Sequence, residues 1–182
     1  MAGIFAYTCS CCGKRHEGSP SFSFACPAQY QALSEHDREE NAALNSDLCV
    51  IAHGDQADRF ARVVLEIPIH GVTDPFLWGV WVSLSAESFE RYLSTWGMHD
   101  ESDSYSGLIS NVLPYYPDTM NLKTQVRPLK NGLRPFLELE VTDHLLSVHL
   151  RDGLTIQEAQ GIAESVLHRS HSAPRYIRTK QY

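Results

Sequence analysis

The sequence predicts a single α+β domain: a mostly antiparallel sheet with helices packed on one face, and a zinc-knuckle-like element at its N-terminus. Three observations carry this reading. Phe76-Leu77-Trp78-Gly79-Val80-Trp81-Val82-Ser83-Leu84 is apolar on both faces, as a central strand must be. Directly after it, Phe89, Tyr92, Leu93 and Trp96 recur at helical spacing and form one apolar stripe. Further on, two alternating segments flank Asn131-Gly132, a hairpin signal.

In chain order, residues 4–24 read as a short knuckle, about 7–16, followed by an extended arm in which Phe22 and Phe24 alternate with serines. Cys26-Pro27 opens a helix expected from about Ala28 to Ala43, since proline suits the first helical position. Its apolar face is thin, so it reads as a surface helix. Asn45-Ser46-Asp47 turns the chain into the apolar strand Leu48 to Ile51. Val63, Leu65, Ile67 and Ile69 alternate against Arg62, Val64 and Glu66, which marks a half-buried strand with an edge or bulge near Pro68.

The helix over 86–97 has Ser85 as N-cap and Gly97 as stop. Met98 to Ser106 is polar and reads as a loop, and Gly107 to Leu113 as a strand. In the hairpin, the register about Asn131-Gly132 pairs Val126 with Leu137, Leu122 with Val141 and Lys123 with Glu140. It also sets Pro128 against Pro135, where neither residue can donate, so the tip must be looser than a two-residue turn. Thr142-Asp143 caps a short helical piece carrying His144 to Leu150, and Gly153 ends it. Thr155 and Glu158 form a capping box before a last helix with Ile156, Ala159, Ala163, Val166 and Leu167 on one stripe. The domain is expected over 1–169, with 170–182 a basic, frayed tail.

The 182 residues are 43% hydrophobic and 20% charged, a globular balance long enough to bury a core without disulfides. A formal net charge of −7 lacks the basic footprint of a nucleic-acid binder, and that class is disfavoured. No apolar run is long enough to span a bilayer, and Met1 to Thr8 has neither the basic start nor the apolar stretch of a signal peptide. Five cysteines without an export signal point to a reducing cytoplasm, where neighbouring thiols read as metal ligands before disulfides.

The chemistry concentrates in Cys9-Ser10-Cys11-Cys12-Gly13-Lys14-Arg15-His16. Cys9 and Cys12 have C-x-x-C spacing, Gly13 lets the backbone curl back, and His16 follows one turn later. That is half of a structural zinc site. The rest must come from His16 and from Cys26, Cys49, His53 or a distant histidine such as His144. No H-E-x-x-H run or comparable catalytic metal signature is present. A second group, Arg134, Glu138, Glu140, Asp143 and His144, has acid/base chemistry, but Glu138 and Glu140 are explained as solvated partners across a hairpin. The third, Trp78, Trp81, Phe89, Tyr92 and Trp96, reads as core.

A larger pattern joins these pieces: Cys9-x-x-Cys12-Gly13-x-x-His16, Asp47-Leu48-Cys49, Glu66-Ile67-Pro68-Ile69 and the tryptophan strand over 78–84. Tyr116-Pro117, Leu122-Lys123-Thr124, Arg134-Pro135 and Asp143-His144-Leu145-Leu146 continue it. Together they resemble the bacterial family called domain of unknown function 2199, from Tyr7 to about His168. Where the family pattern reads His-Pro-Leu-Ala, Leu145 and Ser147 stand in the proline and alanine places. The resemblance implies a bacterial intracellular protein and no assigned activity. It groups Cys9, Cys12, His16 and Cys49, which become the expected zinc ligands. The expected function is a cytoplasmic zinc-binding adaptor for a protein partner, of the kind an immunity protein exemplifies. A metal-assisted hydrolase with an open metal position is the alternative.

Overall fold

The computed structural model describes residues 3–98, 102–168 and 176–178. Its framework is a closed barrel of five strands, not an open sheet. The strands are β6 (Gln56–Ile67), β7 (Phe76–Leu84), β8 (Tyr105–Ile109), β9 (Lys123–Arg127) and β10 (Phe136–Leu139). Each pairs antiparallel with the next, and β10 returns to β6 through the parallel partners Phe136 and Val64. Five alternating strands in a meander leave the fifth running parallel to the first, so closure itself creates a parallel seam.

The remaining strands extend this barrel. β3 (Ser21–Phe24) lies parallel to β7, with Phe22 beside Trp78, and β11 (Tyr176–Arg178) lies antiparallel to β3. On the other side, β4 (Ala42–Leu44) and β5 (Leu48–His53) continue from β6. The sheet is mostly antiparallel, as expected, with two parallel pairings, and the expectation is corrected in one respect: the sheet closes. The expectation of helices on one face fails with it, because a closed barrel offers no single outer plane. α2 (Glu35–Asn41) lies against β4 and β5, α3 (Ala86–Ser94) against β6 and β8, and α4 (Leu145–Asp152) against β6.

The inward pattern is legible in the pairing. Ala61, Val63, Leu65 and Ile67 of β6 oppose Val82, Val80, Trp78 and Phe76 of β7, and all eight are buried. Val82 opposes Ile109, and Val126 opposes Tyr105 and Leu137, which continues the same interior around the wall. Trp78 stacks with Phe24 and Phe76 and meets Phe22 at a tilt, so the arm carrying β3 seals one side of the core with rings. Trp81 faces the other way, is fully buried, and donates its indole N–H to Phe24 O at 3.2 Å. The aromatic set reads as core here too, except that Trp96 is 38% exposed.

The expected helix over 28–43 is broken. α1 (Ala28–Ala32) ends at Leu33, and Ser34 starts α2 by accepting a hydrogen bond from Asp37 N. Neither helix buries a residue, so no apolar stripe holds one continuous axis and the local cap decides. The strand expected at 107–113 begins earlier, at Tyr105, and stops at Ile109. The hairpin register is observed as read, with Val126 opposite Leu137 and Glu140 N donating to Lys123 O. Its tip is the looser 3-10 turn Lys130–Gly132, with Asn131 and Gly132 both at positive φ.

α5 (Ile156–Leu167) begins with the expected capping box between Thr155 and Glu158, and buries Ala159, Ile162, Ala163 and Val166. Of the tail expected to be frayed, Tyr176–Arg178 is a strand on β3. Residues 169–175 and 179–182 lie outside those described, as do 99–101 of the loop after α3. Among the described residues no helix is long and apolar enough to cross a membrane.

Candidate metal centre

The knuckle is a small hairpin of its own. β1 (Ala6–Thr8) and β2 (Arg15–Glu17) pair antiparallel, with Tyr7 opposite His16. Cys9 N donates to Lys14 O at 2.8 Å and Gly13 N to Cys9 O at 2.9 Å, closing the turn that carries the cysteines. Gly13 sits at φ 69°, a left-handed conformation that costs glycine nothing. The tight turn folds Cys12 back over Cys9, while the β1–β2 pairing brings in His16. Their donor atoms all lie within 4.8 Å of one another. A tetrahedral zinc with Zn–S of about 2.3 Å and Zn–N of about 2.0 Å fits donors at that separation.

Two further features mark this corner. His16 stacks on Tyr7, ring centroids 5.0 Å apart and 18° from parallel, which fixes the imidazole plane. Its Nε2 is sealed from solvent without a hydrogen-bond partner, a costly state for a ring nitrogen that a metal bond would relieve. Cys9 is buried, and Cys12 lies at the surface.

A residue the sequence reading did not single out completes the picture. His168 caps the C-terminal end of α5, and its Nε2 is 3.0 Å from Cys9 Sγ. Cys9, Cys11 and His168 form a second group with donors within 4.8 Å, sharing Cys9 with the first. α5 is held there by more than the imidazole. Glu164 accepts from Ser10 N and from Ser10 Oγ, both at 2.6 Å, and from Gln160 Nε2 at 2.9 Å. These hydrogen bonds, the Ser10 hydroxyl first, draw the Glu164 carboxyl down from 4.5 to about 2. No local sequence signal ties His168 to Cys9, because 159 positions separate them.

Cys49 belongs to neither group. It lies on β5 opposite Leu44 and Phe60 and is wholly buried, because strand alternation turns it into the core. Burial, and then Cys26, push its thiol up to about 12. The other suggested ligands also lie outside both groups. Cys26 leads into α1, where its carbonyl accepts from Asn111 Nδ2. His53 is exposed and 3.0 Å from Asp58. His144 is the N-cap of α4, its Nδ1 accepting from Leu146 N at 3.1 Å.

The acid/base group is dispersed. Arg134 binds Asp47, its Nε 2.9 Å from the carboxylate, while Glu138 takes Arg127 at 2.9 Å. Burial raises the Asp47 carboxyl, but the Ser46 hydroxyl and Arg134 outweigh it and the net shift is downward. The structure thus uses Asp47 and Arg134, both in motif segments, to tie the turn before β5 to the turn before β10.

Residues 8–154 match a family described as an uncharacterized protein conserved in bacteria, domain of unknown function 2199. The chain belongs to this family. The match covers the Cys9–His16 segment and the whole barrel and ends before α5, so Glu164 and His168 lie beyond it. Comparison with curated proteins and with solved structures gives no match.

Proposed function

We propose that this chain is a zinc-binding adaptor module in which one ion is held by Cys9, Cys12, His16 and His168. The observation that carries the reading is the convergence of Cys9, Cys12 and His16 within 4.8 Å, with the sealed His16 Nε2 left without a partner. His168 lies 3.0 Å from Cys9 and groups with Cys9 and Cys11; in this reading its ring turns from Cys11 toward Cys12 and His16 to take the fourth position that the sequence reading gave to Cys49. Two thiolates and two imidazoles are a closed, structural donor set, with no position left for a reacting water. The ion's work is mechanical: it fastens the N-terminal hairpin to the end of α5. A closed site favours the adaptor over the metal-assisted hydrolase. A net charge of −7 fits a cytoplasmic module that meets a basic protein partner, as an immunity-type protein does.

The test is elemental analysis of protein purified without chelators, as wild type and as Cys12→Ser, His168→Ala and Cys49→Ser. The reading expects one zinc per chain in the wild type and in Cys49→Ser. It expects little or none in Cys12→Ser, and a weakly held ion in His168→Ala. Wild type without metal, or zinc lost in Cys49→Ser and kept in His168→Ala, overturns it.

A further inference from the structure

One end of the barrel is open. The register aligns Arg59 with Leu84, Leu84 with Gly107, Gly107 with Thr124 and Thr124 with Leu139, a single row around the wall. Two residues deeper on the same face lie Ala61, Val82, Ile109, Val126 and Leu137, all closed core. The row is therefore the floor of a mouth. Above it is a cavity of about 1020 Å³, larger than the 360 Å³ groove beside β10. Barrel mouths are preferred ligand positions, and this volume is at the upper end of the range for small-molecule sites. A five-stranded barrel has its lumen filled by side chains, so a ligand must sit at the mouth and not within.

The charges at the mouth are unequal in depth. Arg59 is half-buried in the floor, and among the described residues its guanidinium contacts only Ala57 O, at 2.8 Å, with no carboxylate partner. Lys123, on the rim, likewise has no ion-pair partner among the described residues. Of the four acids around the cavity, Asp58 is hydrogen-bonded to His53 and Glu138 is paired with Arg127. Asp55 and Glu140 remain, both exposed, where water screens them. The one charge presented toward the apolar floor of Leu84 and Leu139 is thus the Arg59 cation. A half-desolvated guanidinium presents its fork to an oxyanion, and the leucines beside it to an apolar body.

We infer that the barrel mouth is a binding site for a small amphiphilic anion, its oxyanion on Arg59 with Lys123 above, and its apolar part on Leu84 and Leu139. This site is separate from the metal centre and independent of it.

The test uses the full chain, with amide NMR shifts followed during titration with octanoate, octyl phosphate and octylamine. The expected result is saturable binding of one or both anions, with shifts concentrated at Leu84, Gly107 and Leu139. The better of the two identifies the oxyanion as carboxylate or phosphate. Arg59→Gln should weaken that binding about tenfold, and Lys123→Gln by less, with spectra elsewhere unchanged. Because Lys123 is exposed, its variant keeps the test decisive should Arg59→Gln fold poorly. Binding of no anion, preference for octylamine, or equal affinity in both variants and wild type would overturn the inference.

Discussion

At the residue scale, the least expendable contacts are those that join distant parts of the chain. Glu164 is an example: a surface carboxylate whose two oxygens both hold Ser10. Its folded pKa of about 2 lies below the ordinary 4.5, so its contribution is complete above about pH 4.5 and disappears as pH falls toward 2. The side chain is solvent-exposed, and the contribution should not exceed that of an exposed pair, under about 1 kcal/mol. Urea melts of wild type and Glu164→Gln should therefore separate by that amount at pH 7 and coincide near pH 2. A gap that persists in acid would mean that the residue stabilises the fold by something other than its charge.

The residues also show where sequence reasoning stops. Cys9, Cys12 and His16 were legible because a turn of fixed length brings them together, and local spacing encodes that turn. His168 was invisible, since its approach depends on how α5 docks, which no spacing records. Cys49, which lies in neither donor group, shows the complementary case. It stands in a motif segment, but a strand fixes which way its side chain faces, and the register turns it inward beside Phe60.

At the element scale, alternation and turn chemistry were good guides. The 126–137 pairing and the loosened tip at Pro128 and Pro135 followed from the sequence, because a hairpin's register is local. The break between α1 and α2 did not, because Ser34 acts as a cap only where nothing packs the helix face that would carry through it. Closure of the barrel was equally hidden. It depends on β10 meeting β6 at Phe136 and Val64, a contact between strands far apart in the chain.

One position shows how tightly that closure is made. A Cβ on Gly107 would collide with the Val82 side chain and lie 2.6 Å from Ser83 O on the adjacent strand. Gly107 lets β8 approach β7 where the wall bends around the mouth. Gly107→Ala should destabilise the protein by about 1–3 kcal/mol, measured by denaturant unfolding. A neutral effect would show that β8 has room to move and that the wall is less rigid than drawn.

At the scale of the whole molecule, the barrel is the framework, and in the proposed reading the knuckle is its clasp. The core inside β6 and β7 needs no metal, since its rings and branched side chains are buried regardless. The knuckle hairpin has only three residues in each strand and, apart from Tyr7 and Cys9, is mostly exposed, so it depends on outside ties. Those ties run to α5, which lies beyond the residues 8–154 that match the family. In the proposed reading, the ion acts at the junction between the N-terminal hairpin and the end of α5.

Zinc-edge X-ray absorption on the purified protein tests this assignment most directly. The account predicts a first shell of two sulfurs at about 2.3 Å and two nitrogens at about 2.0 Å, from Cys9, Cys12, His16 and His168. A first shell of three sulfurs, or one filled by oxygen from solvent, would contradict it.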